Sequence, residues 1–399
     1  MTKFSDRVTH MQSSPIRRLT PFALKAQAEG VKVLYANIGQ PDILTPPAFA
    51  EGVHAYLDSS RSKPVAYGPS EGLLPFRTAY ATYSKRHGVD ISEKDVFITF
   101  GASEALLFVL LAVCNPGDEV IIPEPFYTNY RTFCDMAGVK VVPVTLDWDT
   151  AFGYPGITAF ERAITPRTRA ILNCSPNNPT GSVYTPGELQ ELLDFCRAKG
   201  IFLISDEVYR EFVYESEPFS VLQLPNSDRN AIVIDSLSKR YSACGTRVGM
   251  IVTRNRELLQ QILKMSQARL CPATMEQDGA IGLLNSGDDE IIAMREVYRN
   301  RITTLCDGLE SIKGVACHRP KGAFYMMVRL PVENTDLFAE YMVSNVRVDG
   351  KTLLVAPAKG FYLTPGLGES EVRMAAVMEE SALLDVVKVL EVAIKEYNG

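Results

Sequence analysis

Short apolar runs that alternate with helical segments are the feature that most constrains the fold of this chain. Seven such runs, rich in β-branched residues, lie at 96–100, 119–123, 139–144, 169–174, 201–205, 231–235 and 248–253. Segments with helical periodicity separate several of them, and the one at 186–200 closes on a glycine, as helices commonly do. Continuously apolar strands that alternate with helices predict a largely parallel sheet covered on both faces. The sequence therefore predicts an α/β core.

The later part of the chain indicates a second and smaller unit. A single hydrophobic core rarely serves a chain of 399 residues. A long helical pattern at 290–312 is followed by strand-like segments at 322–330 and 371–379 and by a closing amphipathic helix. We therefore expect an N-terminal arm that joins the small domain in residues 1–48, a large domain in residues 49–285 and a small α+β domain in residues 286–399.

Composition and charge argue against nucleic acid and membranes as partners. The net charge is −6 and the basic residues are scattered, which is unlike a nucleic-acid-binding surface. The longest apolar run, 105–114, is about half of the ~20 residues that a membrane span needs. The first residues lack the apolar core of a secretory signal, and the eight cysteines contain no CxxC pair. We expect a cytoplasmic protein with reduced thiols and no metal site.

Two polar passages follow predicted strands, at the sheet edge where ligands bind in doubly wound folds. The first opens a helix after the strand at 96–100 and offers free backbone NH groups to an anion; it consists of Gly101, Ala102 and Ser103. The second follows the strand at 231–235 and combines hydroxyls with cations: Ser236, Ser238, Lys239 and Arg247. Hydroxyls and a guanidinium fork suit a phosphate. The sequence therefore predicts a site for a phosphorylated ligand with a lysine beside it.

An acidic pair, Asp206 and Glu207, closes the apolar run at 201–205. A carboxylate at the end of a buried strand costs several kcal/mol to desolvate unless it meets a cation. We therefore expect a positive group to face Asp206.

The passage SLSKRYSACGTRVG at 236–249 resembles the cofactor site of the fold type I pyridoxal-phosphate-dependent aminotransferases of classes I and II, the group of the aspartate and alanine aminotransferases. Eight further motifs match this family in order: NIGQPD (37–42), YGPSEGLLPFR (67–77), GASEAL (101–106), PEPFYTNY (123–130), SPNNPTG (175–181), SDEVY (205–209), GAFY (322–325) and EVR (371–373). The resemblance implies an α/β fold whose large domain has a mostly parallel seven-stranded sheet between helices, with a smaller α+β domain. It also implies pyridoxal 5'-phosphate as cofactor, amino acid and 2-oxo acid substrates, and a homodimer with shared active sites.

The resemblance implies roles for residues around the cofactor ring. Lys239 would form the Schiff base with the cofactor aldehyde and later move the proton between the substrate α-carbon and the cofactor. Asp206 would face the pyridine nitrogen and keep it protonated, which supplies the cation expected there. Asn178 and Tyr209 would hydrogen-bond the phenolic oxygen of the cofactor, and Tyr127 would stack on its ring.

Further residues match the family's phosphate and substrate contacts. The phosphate would be held by backbone NH groups, hydroxyls and a guanidinium, from Gly101, Ala102, Ser103, Ser236, Ser238 and Arg247. Tyr67 matches the residue that reaches the phosphate of the partner subunit. Arg373 would bind the substrate α-carboxylate, assisted by Asn178 and by the backbone near Gly39.

Three functions are compatible with these residues to different degrees. The first is an aminotransferase that uses glutamate and 2-oxoglutarate as one substrate pair. The second is a carbon–sulfur β-lyase with the same cofactor, since the same carbanion can expel a leaving group. A ligand-sensing protein without turnover is disfavoured because Lys239, Asp206, Arg247 and Arg373 are all present. Ser103 stands where one branch of aspartate-specific transaminases has a lysine, so that device is missing, and Arg269 receives no role.

Overall fold

The computed structural model describes residues 3–12 and 14–399. In this part of the chain the strands are β1 (Lys32–Tyr35), β2 (Val96–Phe100), β3 (Glu119–Glu124), β4 (Lys140–Thr145), β5 (Thr168–Cys174), β6 (Phe202–Asp206), β7 (Ala231–Ser236), β8 (Val248–Val252), β9 (Ala316–Cys317), β10 (Tyr325–Arg329), β11 (Lys351–Leu354), β12 (Ala356–Pro357) and β13 (Glu371–Ala375).

The α-helices of the same residues are α1 (Asp6–His10), α2 (Thr20–Ala28), α3 (Pro47–Asp58), α4 (Leu74–Arg86), α5 (Gly101–Val113), α6 (Asn129–Ala137), α7 (Ile157–Ala163), α8 (Pro186–Lys199), α9 (Arg256–Arg269), α10 (Thr274–Asn285), α11 (Asp289–Glu310), α12 (Thr335–Asn345) and α13 (Glu380–Asn398). Short 3₁₀ helices lie at Glu93–Asp95, Val221–Gln223, Cys244–Thr246 and Ala358–Phe361.

The central sheet has seven strands in the order β2-β8-β7-β6-β5-β3-β4. The pairs from β4 to β7 are parallel, and only β8 runs antiparallel to its two neighbours. Each of the seven predicted runs forms one of these strands, so the predicted mostly parallel sheet is confirmed. The interior strands β7 and β8 are buried along their whole length, as expected for strands that are covered on both faces.

The helix boundaries follow from local chemistry. Helix α8 starts at a capping box in which Thr185 and Glu188 exchange hydrogen bonds, and it ends before Gly200 in the left-handed conformation. Helix α5 begins directly after β2, at Gly101, whose φ of +71° is also left-handed. Gly249 of β8 lies against this start, and a Cβ there would stand 2.3 Å from the carbonyl carbon of Gly101. This close approach depends on the absence of a side chain at Gly249, and Gly101 supplies the left-handed φ at the helix entry.

A second set of strands lies outside the central sheet. It comprises a four-stranded sheet of order β12-β13-β10-β9 and the parallel pair β1-β11. A second hydrophobic cluster joins these strands to α11, α12 and α13, and it includes Leu19, Ala23 and Leu34 from the N-terminal segment. The N-terminal segment thus packs with C-terminal elements, while the domain boundaries after residues 48 and 285 remain predictions. Among the described residues, no helix combines the length and apolarity needed to cross a membrane.

Candidate active site

A cavity of about 580 Å³ opens at the carboxyl ends of β2, β6 and β7, a volume typical of small-molecule sites. It is lined by twelve of the fourteen predicted site residues: Gly39, Ala102, Ser103, Tyr127, Asn178, Asp206, Tyr209, Ser236, Ser238, Lys239, Arg247 and Arg373. Gly101 lies just behind this wall and contacts it through Arg247. Tyr67 does not line the cavity, and its side chain is 80% exposed.

Lys239 projects its amine into this cavity. It follows β7 by three residues, and its Nζ donates a hydrogen bond to the carbonyl oxygen of Gly39 at 2.8 Å. The amine also lies 5.9 Å from the ring centre of Tyr209 and 6.0 Å from that of Phe324. Because no carboxylate within the described residues forms an ion pair with Nζ, the amine is available to a ligand.

Asp206 is a buried carboxylate that lacks an ion-pair partner among the described residues. Its Oδ2 accepts a hydrogen bond from Tyr130 Oη at 2.7 Å, and its Oδ1 accepts one from the backbone NH of Val208 at 3.2 Å. Burial raises the pKa of Asp206 to about 6, although these two hydrogen bonds act in the opposite direction. Asp206 therefore faces the cavity as an acid that a cationic ligand group would stabilise.

Arg373 is a buried cation that, like the acid Asp206, lacks an ion-pair partner among the described residues. Its side chain is buried, its Nη1 donates to Asn178 Oδ1 at 3.0 Å, and its Nη2 donates to the carbonyl oxygen of Asn37. The rings of Tyr325 and Phe361 lie 4.5 and 5.1 Å from the guanidinium carbon. Burial lowers the pKa of Arg373, and no acidic residue of the described chain pairs with it. Such a guanidinium calls for an anionic ligand.

The amino end of α5 and Arg247 form a part of the cavity that is suited to bind an anion. Arg247 has a left-handed φ of +54°, and its Nη1 donates to the carbonyl oxygen of Cys244 at 3.1 Å. Its guanidinium lies so close to Gly101 that a Cβ there would stand 2.4 Å from Nη2. Ser236 and Ser238 line the same end, beside Ala102 at the start of the helix. Free NH groups, hydroxyls and a guanidinium are the groups that bind phosphate.

The charged and polar groups of the cavity match the groups of pyridoxal 5'-phosphate in sign. The buried acid Asp206 matches a protonated ring nitrogen, the Arg247 end matches a phosphate, and the Lys239 amine lies in the same cavity. The unpaired Arg373 remains for a further carboxylate.

The chain matches the model of the family described as aminotransferase class I and II over residues 32–390. The chain belongs to the class I and II aminotransferases. The aspartate aminotransferase of Sulfolobus acidocaldarius is 30% identical over 90% of this chain and 89% of its own length. The aromatic-amino-acid aminotransferase 2 of Thermococcus litoralis is also 30% identical, over 98% of both chains. The structure of an alanine aminotransferase from Pyrococcus furiosus superposes with a TM-score of 0.89 at 29% identity, covering 99% of this chain and 100% of that chain.

This aminotransferase is therefore a pyridoxal-phosphate-dependent transaminase of fold type I that acts on amino acids and 2-oxo acids. The relatives carry names that refer to aspartate, aromatic amino acids and alanine. Family membership alone thus leaves the side chain of the preferred substrate to be inferred from the residues of the cavity.

Several residues of the aminotransferase cavity were missed by the sequence analysis. Tyr130 ends the motif PEPFYTNY and received no role from the sequence, but its hydroxyl donates a hydrogen bond to Asp206. Tyr325, in the GAFY motif, shares a hydrogen bond of 3.0 Å with Tyr209. Gly39 must be glycine here, since a Cβ would overlap the Tyr325 hydroxyl at 1.6 Å.

A buried charge cluster lies behind the cavity, next to Asp206 and Lys239 in the chain. Arg240 pairs with Asp235 and with Glu211, the latter at 3.0 Å, and Arg210 pairs with Glu211 at 3.0 Å and with Glu207 at 3.3 Å. Burial alone would raise the pKa of Glu211, but Arg240 and Arg210 outweigh it and hold this pKa at about 2. Arg240 follows Lys239 directly, so the cluster fixes the backbone that carries the lysine.

Arg269, which the sequence left without a role, lies beside the entry of α5. Its Nη1 donates to Glu104 Oε2 at 3.0 Å, and the same oxygen accepts from the backbone NH of Phe100. Its Nη2 donates to the carbonyl oxygen of Ser70, a few residues after Tyr67. Arg269 thus ties the helix entry to the loop that carries Tyr67 and does not itself line the cavity.

Proposed function

We propose that this aminotransferase transfers the amino group of an L-amino acid to a 2-oxo acid, with glutamate and 2-oxoglutarate as one substrate pair. The observation that carries the proposal is the presence of two buried and oppositely charged groups in one cavity, Asp206 and Arg373, neither with an ion-pair partner in the described chain. Leaving such charges unpaired is costly, so each calls for a partner from a ligand. The cofactor supplies one partner and the amino acid supplies the other.

Pyridoxal 5'-phosphate supplies an electron-accepting ring that stabilises the charge left on an amino acid α-carbon when its proton departs. Lys239 would hold the cofactor covalently through Nζ, and its freed amine would accept the proton of the substrate α-carbon and return it to the cofactor. Asp206 would keep the ring nitrogen protonated, and the hydrogen bond that Tyr130 donates to it fixes the carboxylate in place. Tyr209 would donate a hydrogen bond to the phenolic oxygen of the cofactor, and its hydroxyl shares a hydrogen bond of 3.0 Å with Tyr325.

Arg373 binds the α-carboxylate of the substrate through its planar fork. The Asn178 amide oxygen and the Asn37 carbonyl oxygen hold the guanidinium in position, and the ring of Tyr325 lies against its face. This arrangement orients the α-carbon before any proton moves, which is a large part of what such a site contributes to the rate.

Arg247, Ser236 and Ser238 would hold the phosphate at the α5 entry, together with the backbone NH groups of Ala102 and Ser103. A homodimer belongs to the same proposal. Tyr67 is 80% exposed on this chain and does not line its own cavity, which suits a residue that completes the site of a second copy.

The glutamate and 2-oxoglutarate pair is supported by the charge balance of the cavity. The lining residues include four cations, Arg17, Lys239, Arg247 and Arg373, against one carboxylate, Asp206. Because Lys239 would hold the cofactor and Arg247 its phosphate, Arg17 and Arg373 remain for a substrate that carries more than one negative charge.

A half-reaction assay tests this function. Single amino acids are mixed with the yellow holoenzyme, and conversion of the cofactor to its amine form is followed by absorbance. We expect glutamate to convert the cofactor and 2-oxoglutarate to restore it, whereas the Lys239→Ala variant should do neither at a measurable rate. Release of a thiol from a sulfur-containing amino acid, without conversion to the amine form, would instead identify the β-lyase. A purified protein that binds no cofactor would favour a sensing role.

A further inference from the structure

We propose that Arg17 binds the distal carboxylate of a dicarboxylic substrate and thereby selects glutamate-like or aspartate-like amino acids over neutral ones. This inference rests on the proposed function and names the residue that recognises the substrate side chain.

Of the four cations that line the cavity, Arg17 is the one that neither the cofactor nor the substrate α-carboxylate uses. Lys239 holds the cofactor, Arg247 faces the phosphate, and Arg373 takes the α-carboxylate, so the three other cations of the lining have partners in the assembled site. The guanidinium of Arg17 forms no ion pair or side-chain hydrogen bond with any residue that the structure describes. It remains for a second negative charge on the substrate.

The position of Arg17 at the cavity mouth suits a group that lies away from the α-carbon. Its side chain is exposed to solvent and still lines the cavity, in contrast to the deeply buried Arg373. A substrate held at its α-carboxylate by Arg373 directs its side chain away from that residue. Contact with Arg17 then requires a side chain that ends in an acid.

The segment that carries Arg17 is anchored on both sides. The carbonyl oxygen of Ile16 accepts a hydrogen bond from Asn37 Nδ2 at 3.3 Å, and the carbonyl oxygen of the same asparagine binds Arg373. Pro15 packs on Gly360, where a Cβ would stand 2.6 Å from the proline Cγ. Asn37 therefore connects Arg373 to the backbone of the segment that carries Arg17.

Arg17 also acts electrostatically on a tyrosine inside the cavity. Burial raises the pKa of Tyr127 to about 12, and the positive charges of Arg373 and Arg17 oppose that rise. Both arginines therefore lie within electrostatic range of the Tyr127 hydroxyl. Tyr127 Oη accepts a hydrogen bond from Asn129 Nδ2 at 2.7 Å, and because the phenol is neutral it gives Arg17 no counter-charge.

The neighbouring arginine provides a matched control. Arg18 is also exposed, but its Nη2 forms an ion pair of 2.6 Å with Asp336, and it does not line the cavity. Substitution of either residue removes one positive charge from the same stretch of chain, so only a direct contact with substrate should distinguish Arg17→Gln from Arg18→Gln.

The experiment compares kcat/KM of the holoenzyme for glutamate, aspartate and alanine in the half-reaction, for the wild type, Arg17→Gln, Arg17→Lys and Arg18→Gln. We expect Arg17→Gln to lower the ratio of the dicarboxylic substrates to alanine by roughly 10- to 100-fold, the range for a lost charge-assisted hydrogen bond. Arg17→Lys should fall between this variant and the wild type, because it keeps the charge and loses the fork. Arg18→Gln should change the ratio by less than about twofold.

Binding of an unreactive dicarboxylate gives a readout that is independent of turnover. Succinate and acetate are titrated into each holoenzyme by calorimetry, and Arg17→Gln should weaken the binding of succinate alone. An unchanged substrate ratio in Arg17→Gln, an equal loss for alanine, or an equal effect in Arg18→Gln would each overturn the role of Arg17. Failure of every amino acid to convert the cofactor of the wild type would overturn the proposed function instead, which keeps the two results distinct.

Discussion

The buried carboxylate of Asp206 should make the cofactor-free protein less stable as the pH rises. Burial raises the pKa of Asp206 from 3.8 to about 6 in the folded protein. Between these two values the folded state keeps a proton that the unfolded state has lost, so the free energy of unfolding falls with increasing pH. Below about pH 4 both states are protonated and the penalty is absent, and above about pH 6 it is complete. Replacement by asparagine should remove this dependence.

The magnitude follows from the size of the pKa shift. A difference of about two units at 1.36 kcal/mol per unit amounts to roughly 3 kcal/mol in full, of which about 2 kcal/mol develops between pH 4.5 and 7.5. Relative to the wild type, the Asp206→Asn variant should therefore gain about 2 kcal/mol of unfolding free energy over this range. The asparagine can keep the hydrogen bonds, since its oxygen accepts from Val208 NH and its amide donates to Tyr130.

The assay is urea denaturation of both cofactor-free proteins at several pH values, with Asp194→Asn as the control. Asp194 is 52% exposed and pairs with Arg197 on the surface, so its substitution should leave the pH dependence nearly unchanged. At pH 7.5, saturation with cofactor should raise the free energy of unfolding of the wild type more than that of Asp206→Asn, because the carboxylate then has a cationic partner. Parallel pH profiles of wild type and Asp206→Asn would refute the argument that this acid is buried without a counter-charge.

Two further predictions concern the residues around Lys239 and the phosphate end. Arg240→Met should lower the free energy of unfolding by roughly 3–5 kcal/mol, because it leaves the buried Asp235 with one cation fewer. Urea denaturation measures this loss. A loss no larger than that of the surface variant Arg197→Met would contradict the prediction. Gly101→Ala should raise the cofactor Kd roughly tenfold or more, because its Cβ would displace Arg247 and its φ is left-handed. Titration of the cofactor-free variant by absorbance measures this, and wild-type affinity would show that Arg247 does not bind the phosphate.

The central sheet could be predicted from sequence because its strands are short, apolar and separated by helical segments. Periodicity identifies such strands well, and every one of the seven predicted runs lies in the sheet. The ends of the strand-like segments in the C-terminal part were less accurate. The predicted segment 371–379 forms a strand only to Ala375, because the pairing with β10 ends there. Pairing partners decide where a strand stops, and the sequence of one segment does not contain that information.

The site residues that follow strands directly could also be predicted, since a strand end fixes where the next side chains lie. Asp206 and Ser236 are the last residues of β6 and β7, and both line the cavity as expected. Tyr130 could not be recognised in the same way because its hydroxyl reaches Asp206 across 76 positions of sequence. The backbone carbonyl of Asn37 accepts a hydrogen bond from Arg373, and because every residue has such a carbonyl, the sequence could not reveal this role.

Arg17 and Arg18 show what decides whether a charge is functional. In the sequence they are adjacent and chemically identical, and nothing in the motif around them separates a surface ion pair from a ligand contact. The fold separates them by bringing Asp336 to Arg18 across 318 positions and by leaving Arg17 at the cavity mouth without an acid. The same test applies to Asp206 and Arg373 in the interior, where an unpaired charge is costly enough to require a ligand. Each unpaired charge that faces the cavity therefore predicts one ligand group: Asp206 the cofactor ring, Arg373 the α-carboxylate and Arg17 the distal carboxylate. Loss of dicarboxylate selectivity in Arg17→Gln is the most direct measurement of the last of these.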